Sequence, residues 1–304
     1  SSGQNLTVNK ATTALALVSS VNPAPPGQAV TFTATLSSNN GVPADGTVIS
    51  FRDGGVEIAT GTLASGVASY TTSALSLGTH SITAAYAGNA AFTAANSTAV
   101  SQAITQNTTT TAMVATPDPS YVNQTITLTA TVTPSGAGTP TGTVTFKSGA
   151  TVLGTGTLSG GVAATTTSFN AIGKRAVYAI YGGDAGNTGS QSSNFITTTN
   201  KAPTNIDLVS SANPASLGQA VTFTATVSSS TGGPNNGAPT DGETVSFRDG
   251  STVLGTGTLA SGVASYTTSS LTLGNHSINA QYLGDTALGG KTSGSITESV
   301  GQAK

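Results

Sequence analysis

Cysteine and tryptophan are absent from this 304-residue chain, and charge is scarce, with 9 Lys plus Arg and 11 Asp plus Glu making up 7% of it. Without cysteine there is no disulfide framework, no thiolate metal site and no cysteine nucleophile. Nine scattered basic residues cannot build the positive stripe that a nucleic-acid binder needs. No apolar run approaches the roughly 18 residues of a membrane-spanning helix, so no transmembrane segment is expected. Without tryptophan, flat aromatic platforms for sugars are few. The chain carries neither an initiator methionine nor a signal peptide, so it is expected to be processed or cut from a longer one. The leading Ser1-Ser2-Gly3 also reads as a cloning scar.

What the chain has is Thr, Val, Ser and Gly, a composition that favours strands joined by turns. Its hydrophobic residues reach 36% and alternate regularly, which separates it from a disordered Ser/Gly-rich chain. Three turn segments set an internal repeat: NPAPPGQAV at 22–30, DPSYVNQTI at 118–126 and NPASLGQAV at 213–221. The first and third copies share GQAVTFTAT, SFRDG and GTLASGVASYTTS, and the third carries a longer polar insertion at 228–242. Within each copy the apolar period is two. Val30, Phe32, Ala34 and Leu36 share a face, as do Ile126, Leu128, Ala130 and Val132, and Val221, Phe223, Ala225 and Val227. A later strand presents Ile82, Ala84 and Tyr86, matched by Val177, Ala179 and Tyr181 and by Ile278, Ala280 and Tyr282. Asp53-Gly54, Ser148-Gly149 and Asp249-Gly250 read as tight hairpin turns. About seven short strands per hundred residues predict an all-β fold: three tandem immunoglobulin-like β-sandwiches in an elongated rod. The expected modules are 11–106, 107–200 and 201–304, preceded by an extra strand at 1–10.

The ordered string PPGQAVTFTAT followed by DGTVISFRDGGVEIATGTLASGVASYTTSALSLGTHSITAAYAGN resembles the bacterial immunoglobulin-like repeat family, found in tandem in secreted and cell-surface proteins. The resemblance covers the chain three times over, although the second copy has FKSG for FRDG and IGKR for LGTH. It implies an extracellular stalk, adhesin or filament module on a bacterial surface, with no catalytic residues to carry over.

The residues themselves offer little chemistry. His80 and His276 occupy one repeat position, where the second copy has Arg175, so they read as surface residues at a strand start rather than as general bases. No Ser-His-Asp set is evident. Gly154-Thr-Gly156 lacks the helix start that a phosphate cradle needs, and its glycines read as a strand bend or bulge. Asp45, Asp53, Asp184, Asp241, Asp249 and Asp285 would bind calcium between modules only if several converged; Asp before Gly otherwise supports its own turn. No cofactor is expected. Tyr121, in the turn PDPSYVN, is the one aromatic candidate for a ligand loop. Sequons at Asn5, Asn96, Asn107, Asn123 and Asn275 are about as many as chance gives in so Asn-, Ser- and Thr-rich a chain.

Modules meet with almost no linker, as in AITQNTTTTAMV, and Pro203 restricts the second joint further. Residues 1–10 resemble the segments that close each module, with Leu6 and Val8 alternating as such a strand should. They read either as the remnant of an upstream module or as a strand donated to a neighbouring subunit, which would build an open filament. The expected function is therefore a non-enzymatic structural module of an extracellular filament or stalk, whose partners are copies of itself or adjacent modules. The alternative is an adhesin that binds a surface, protein or glycan through module loops.

Overall fold

The computed structural model describes residues 9–231 and 239–302. The expectation on Leu6 and Val8, and much of the 228–242 insertion, lie outside the described residues. Every element is a strand.

The first sandwich sets the plan. Its strands are β1 (Thr13–Ser19), β2 (Val30–Ser38), β3 (Val48–Asp53), β4 (Val56–Thr62), β5 (Val67–Thr72), β6 (Gly78–Tyr86), β7 (Ala95–Asn96) and β8 (Val100–Ile104). One sheet runs β1-β2-β5; the other runs β4-β3-β6-β7, with β8 also on β6. The second sandwich repeats this with β9 (Thr109–Thr116), β10 (Ser120–Tyr121), β11 (Ile126–Pro134), β12 (Thr143–Ser148), β13 (Thr151–Thr157), β14 (Val162–Thr167), β15 (Gly173–Tyr181), β16 (Ser190–Gln191) and β17 (Phe195–Asn200). The third has β18 (Thr204–Ser210), β19 (Ala215–Ser216), β20 (Val221–Ser229), β21 (Thr244–Asp249), β22 (Thr252–Thr258), β23 (Val263–Thr268), β24 (Gly274–Tyr282), β25 (Lys291–Thr292) and β26 (Ile296–Gly301). Leaving out the two-residue strands, each sandwich is built from seven.

The period-two residues point inward as their spacing requires. Phe32, Ala34, Ile82 and Ala84 are fully buried, and so are their counterparts in the other two sandwiches. Each module has its own apolar cluster, centred on Phe32 and Phe51, on Leu128 and Phe146, and on Phe223 and Phe247. The hairpin turns follow their residues. Gly54 and Gly55 both have positive φ (+56° and +88°), a type I′ turn, whereas Gly149 and Gly250 alone are positive in the II′ turns of the other copies.

Just past each hairpin, β4, β13 and β22 carry one extra residue, Ile58, Leu153 and Leu254, a bulge beside Ala59, Gly154 and Gly255, which pair with Phe51, Phe146 and Phe247. Gly156 and Gly257 serve close approach. A Cβ there would lie 2.5 Å from the carbonyl oxygen of Ala164 or Ser265. The glycine pair is thus a strand feature, as its spacing predicts.

The chain exposes 15,346 Å². A compact monomer of 29.5 kDa exposes about 11,500 Å², and three separate bodies of a third that mass expose about 15,500 Å² together. The three sandwiches therefore bury little of one another.

Candidate functional site

Two repeated features stand apart from the cores: the threading of the chain into each module, and a cation held between a hairpin turn and a neighbouring strand.

At the entry to each module the incoming chain runs parallel to the turn that follows the Tyr86, Tyr181 or Tyr282 strand. Ala11 bridges Phe92, Asn107 bridges Asn187 and Ala202 bridges Leu288. The bonds repeat too: Ala11 N–H to Ala91 O, Asn107 N–H to Gly186 O and Ala202 N–H to Ala287 O, at 2.7–2.9 Å. The turn is tied by one side chain. Asn89 Oδ1 accepts the Ala91 and Phe92 N–H groups, and Asp285 Oδ1 accepts those of Ala287 and Leu288. Asp184 accepts four bonds, from the Thr141 N–H and hydroxyl, the Gly186 N–H and the Asn187 amide. Burial works to raise the Asp184 carboxyl, but those donors outweigh it and hold it well below the ordinary carboxylate range. Asp285 is lowered by the same balance. The buried Tyr181 and Tyr282 hydroxyls beside these turns have no hydrogen-bond partner. Burial, with the neighbouring aspartate, pushes Tyr181 up to about 12 and raises Tyr282 in the same direction.

The joints gather side chains from both modules. Gln106 donates to the Asp184 carbonyl at 2.6 Å. A cleft of about 250 Å³ lies between Pro25, Pro26, Asn107 and Asn187, and one of about 460 Å³ between Ile172, Lys201, Glu243 and Asp285. Tyr121 is half-buried against the apolar cluster of the third module. The turn that carries it therefore lies at a joint.

The second feature corrects the reading of the histidines. His80 and His276 are not surface residues: their side chains are only 13% and 11% exposed. His80 Nδ1 lies 2.6 Å from Asp53 Oδ2 and its Nε2 2.9 Å from the Ser76 carbonyl. His276 repeats this with Asp249 at 2.6 Å and the Thr272 carbonyl at 2.9 Å. Both ring nitrogens face acceptors, so only the doubly protonated imidazolium satisfies both. The Ser76 carbonyl and the Asp53 carboxylate raise His80 above its ordinary value against the effect of burial. Asp249 and the Thr272 carbonyl raise His276, with the charge of Glu298 adding to them. In the second module Arg175 takes over, donating to the Ala171 carbonyl at 2.8 Å and lying 4.7 Å from the Phe169 ring centroid. Ser148, in place of the aspartate, bonds the Ala176 carbonyl.

Across the sheet from these cations stand Gln102, Thr197 and Glu298. All three are fully buried. The Ser19 hydroxyl donates to Gln102 Oε1 at 2.6 Å, and Gln102 donates to the Ala103 carbonyl. Glu298 has no hydrogen-bond partner on either oxygen. Sequence reasoning missed this trio. The available signal was the shared 27-residue spacing from Asp53 to His80 and from Asp249 to His276, and the joint loss of both residues in the second copy.

The remaining aspartates do not converge. Asp45 and Asp241 each accept an N–H, from Ser65 and Ser261. Among the described residues no three acidic or histidine side chains stand in a metal-binding group.

Disulfide-free sandwiches, each tied to the next by a threaded linker and a shared turn, define a tandem Ig-like protein. The chain belongs to the bacterial Ig-like domain family, group 3, which matches residues 17–105, 113–200 and 208–301. Among solved structures it is similar to the Escherichia coli adhesin FdeC, at 17% identity over 98% of this chain and 99% of that one, with a TM-score of 0.27. It is also similar to invasin, a bacterial integrin-binding protein, at 17% identity over 93% of this chain and 60% of that one, with a TM-score of 0.43. The fibronectin(III)-like modules of Clostridium thermocellum CbhA share 19% identity over 63% of this chain and 93% of theirs, with a TM-score of 0.26. No curated protein matches the chain. No helix is long and apolar enough to cross a membrane among the described residues.

Proposed function

We propose that this chain is a non-enzymatic structural segment of an extracellular bacterial filament or cell-surface stalk. Its modules span 11–106, 107–200 and 201–304, and it assembles head to tail with residues 1–10 paired to a neighbouring module. The observation that carries this reading is the threefold repetition of the entry. Asn107 and Ala202 are reached directly from β8 and β17, the closing strands of the preceding sandwiches, which end at Ile104 and Asn200. Ala11 is threaded into the first module in the same way. By order along the chain, residues 1–10, with Leu6 and Val8, precede Ala11 as the closing strands precede Asn107 and Ala202, and on this reading they form such a strand, which needs a sandwich to complete. The chemistry of the modules agrees with this role, since their polar side chains are spent on turns, pins and joints.

Electron microscopy of the chain with and without residues 1–10 tests the reading. Uniform fibres that disappear on deletion are expected; assembly unchanged by the deletion refutes strand pairing. In the alternative, an adhesin, binding is saturable and is abolished by mutating one loop, such as 118–123 or 228–242. Tyr121 packs half-buried against the third module's apolar cluster, which leaves only part of its ring for a glycan site.

A further inference from the structure

Many of the chain's asparagines spend their side-chain amides on turns and joints, as Asn22, Asn89, Asn187 and Asn213 do. Asn39 is another. Its Oδ1 accepts the Thr12 N–H at 3.0 Å, and its own N–H donates to the Thr12 carbonyl at 3.3 Å, which ties the entering chain to the loop between β2 and β3. Asn40, the next residue, is exposed, and among the described residues its amide makes no hydrogen bond. Gly41 follows it, with φ at +73°, and its N–H makes none either. A Cβ at Gly41 would meet nothing within 4 Å, so the space around that nitrogen is open.

We infer that Asn40-Gly41 is a site of spontaneous covalent modification, a deamidation that runs through a cyclic imide. Asparagine is a chemically labile side chain, and glycine leaves the following backbone nitrogen unshielded by a side chain. The Gly41 nitrogen gives up its proton and bonds to Asn40 Cγ. The Cγ–Nδ2 bond breaks, and the amide leaves as ammonia. Water, the one co-reactant, then opens the imide at either carbonyl, which leaves aspartate or isoaspartate at position 40. No electrons are gained or lost. The neighbouring residue shows what prevents the same reaction. Ring closure at Asn39 needs the Asn40 nitrogen, whose N–H bonds Ser38 Oγ at 3.2 Å, and it needs an amide that Thr12 already holds.

The product is a new carboxylate at the entry of the first module. Asn40 lines a cleft of about 380 Å³ together with Lys10, Ala11 and Phe92, beside the threaded segment. Isoaspartate also lengthens the backbone of the loop by one carbon. Each chain thus acquires, with age, an irreversible negative charge beside Lys10.

Peptide mapping of the intact chain after incubation in neutral to mildly alkaline buffer tests the inference. Asn39 and Asn40 share the tryptic peptide 11–52, and the chain's other Asn-Gly, Asn236-Gly237, falls in peptide 202–248, so the sites are read separately. A mass gain of about 1 Da is expected at Asn40. It should appear at least about tenfold faster than at Asn39, rise with pH, and divide between aspartate and isoaspartate. The N40Q variant should lose the reaction in this peptide, and G41A should slow it, since an added Cβ crowds the attacking nitrogen. An Asn40 that stays intact in the folded chain while it converts in urea overturns the proposal. So does an Asn39 that reacts as fast, or a product that is aspartate alone.

Discussion

Glu298 is the position where one substitution most sharply tests the structure. It is fully buried and neither carboxylate oxygen has a hydrogen-bond partner. A buried carboxylate costs several kcal/mol in lost hydration, offset here only by the field of His276. The first module shows what the site accommodates in its place. Gln102 sits at the same register position, accepts from Ser19 at 2.6 Å and donates to the Ala103 carbonyl at 3.1 Å. Ser210 occupies the place of Ser19, at the end of β18, and its hydroxyl already bonds a nearby carbonyl as Ser19 does. Glu298→Gln therefore removes a desolvated charge and adds an amide donor that can bond a backbone carbonyl as Gln102 does, worth about 1 kcal/mol net. His276 keeps Asp249, so no cation is stranded. A gain of about 1–3 kcal/mol is expected, which for a domain of about 100 residues raises the unfolding midpoint by about 4–8 °C per kcal/mol. Scanning calorimetry reads the midpoint of the third module, and NMR titration of the His276 ring reads the second consequence. Losing the Glu298 charge must lower the His276 pKa. A midpoint that stays or falls, or a His276 titration that does not move, refutes the account of this site.

The cation pins make the modules respond differently to pH. The His80 and His276 values are raised on folding, so their stabilisation is fully present below about pH 6.5 and is lost as pH rises through the higher folded value. Calorimetry at pH 6 and pH 9 should show the first and third transitions moving down at the higher pH while the second, held by Arg175, stays; equal shifts in all three would refute the pin. Glycine to alanine at the close strand approach should destabilise each module by about 1–3 kcal/mol in chemical denaturation. The effect should be larger at Gly156 and Gly257, where the added Cβ would lie 2.5 Å from a carbonyl oxygen, than at Gly61, where it would lie 2.9 Å away; an equal or reversed order would count against backbone clash as the cause.

Much of the fold is legible in the sequence because a half-buried strand writes its burial into adjacent residues. Val30 to Leu36 alternate, and the alternate residues are those at 0–2% exposure. Hairpin turns are equally local, since Asp53-Gly54-Gly55 carries its own positive-φ positions. The pins were not legible in the same way. His80 reaches a carboxylate 27 residues away on a neighbouring strand, and a histidine at a strand start looks solvated until that strand is paired. Glu298 shares the inward parity of Ile296 and Val300, but what the sequence does not show is that it lies across from His276 with neither oxygen bonded. The packing of Tyr121 was hidden for a related reason. The residue packs half-buried against the apolar cluster of the next module, a contact that no local pattern announces.

The divergence of the second copy follows from how little surface the modules share. With an exposed area close to that of three separate bodies, a change inside one module has few routes into the next, and distant substitutions add independently. Inside a module the opposite holds. Asp53 bonds the His80 ring, and Gln102 is the cross-strand pair of His80, so altering the cation alone would strand the carboxylate. In the second module all three positions differ together, as Ser148, Arg175 and Thr197. Arginine keeps the bond to the loop carbonyl, and serine and threonine leave no buried carboxylate to neutralise. The third module retains the aspartate and histidine but sets Glu298 where the first has Gln102, adding a second carboxylate beside the imidazolium. The loop carbonyl bonded by a cation is common to all three. That bond joins the loop before β6, β15 and β24 to the strand itself, and it is the feature the modules keep while the residues around it are exchanged as a set.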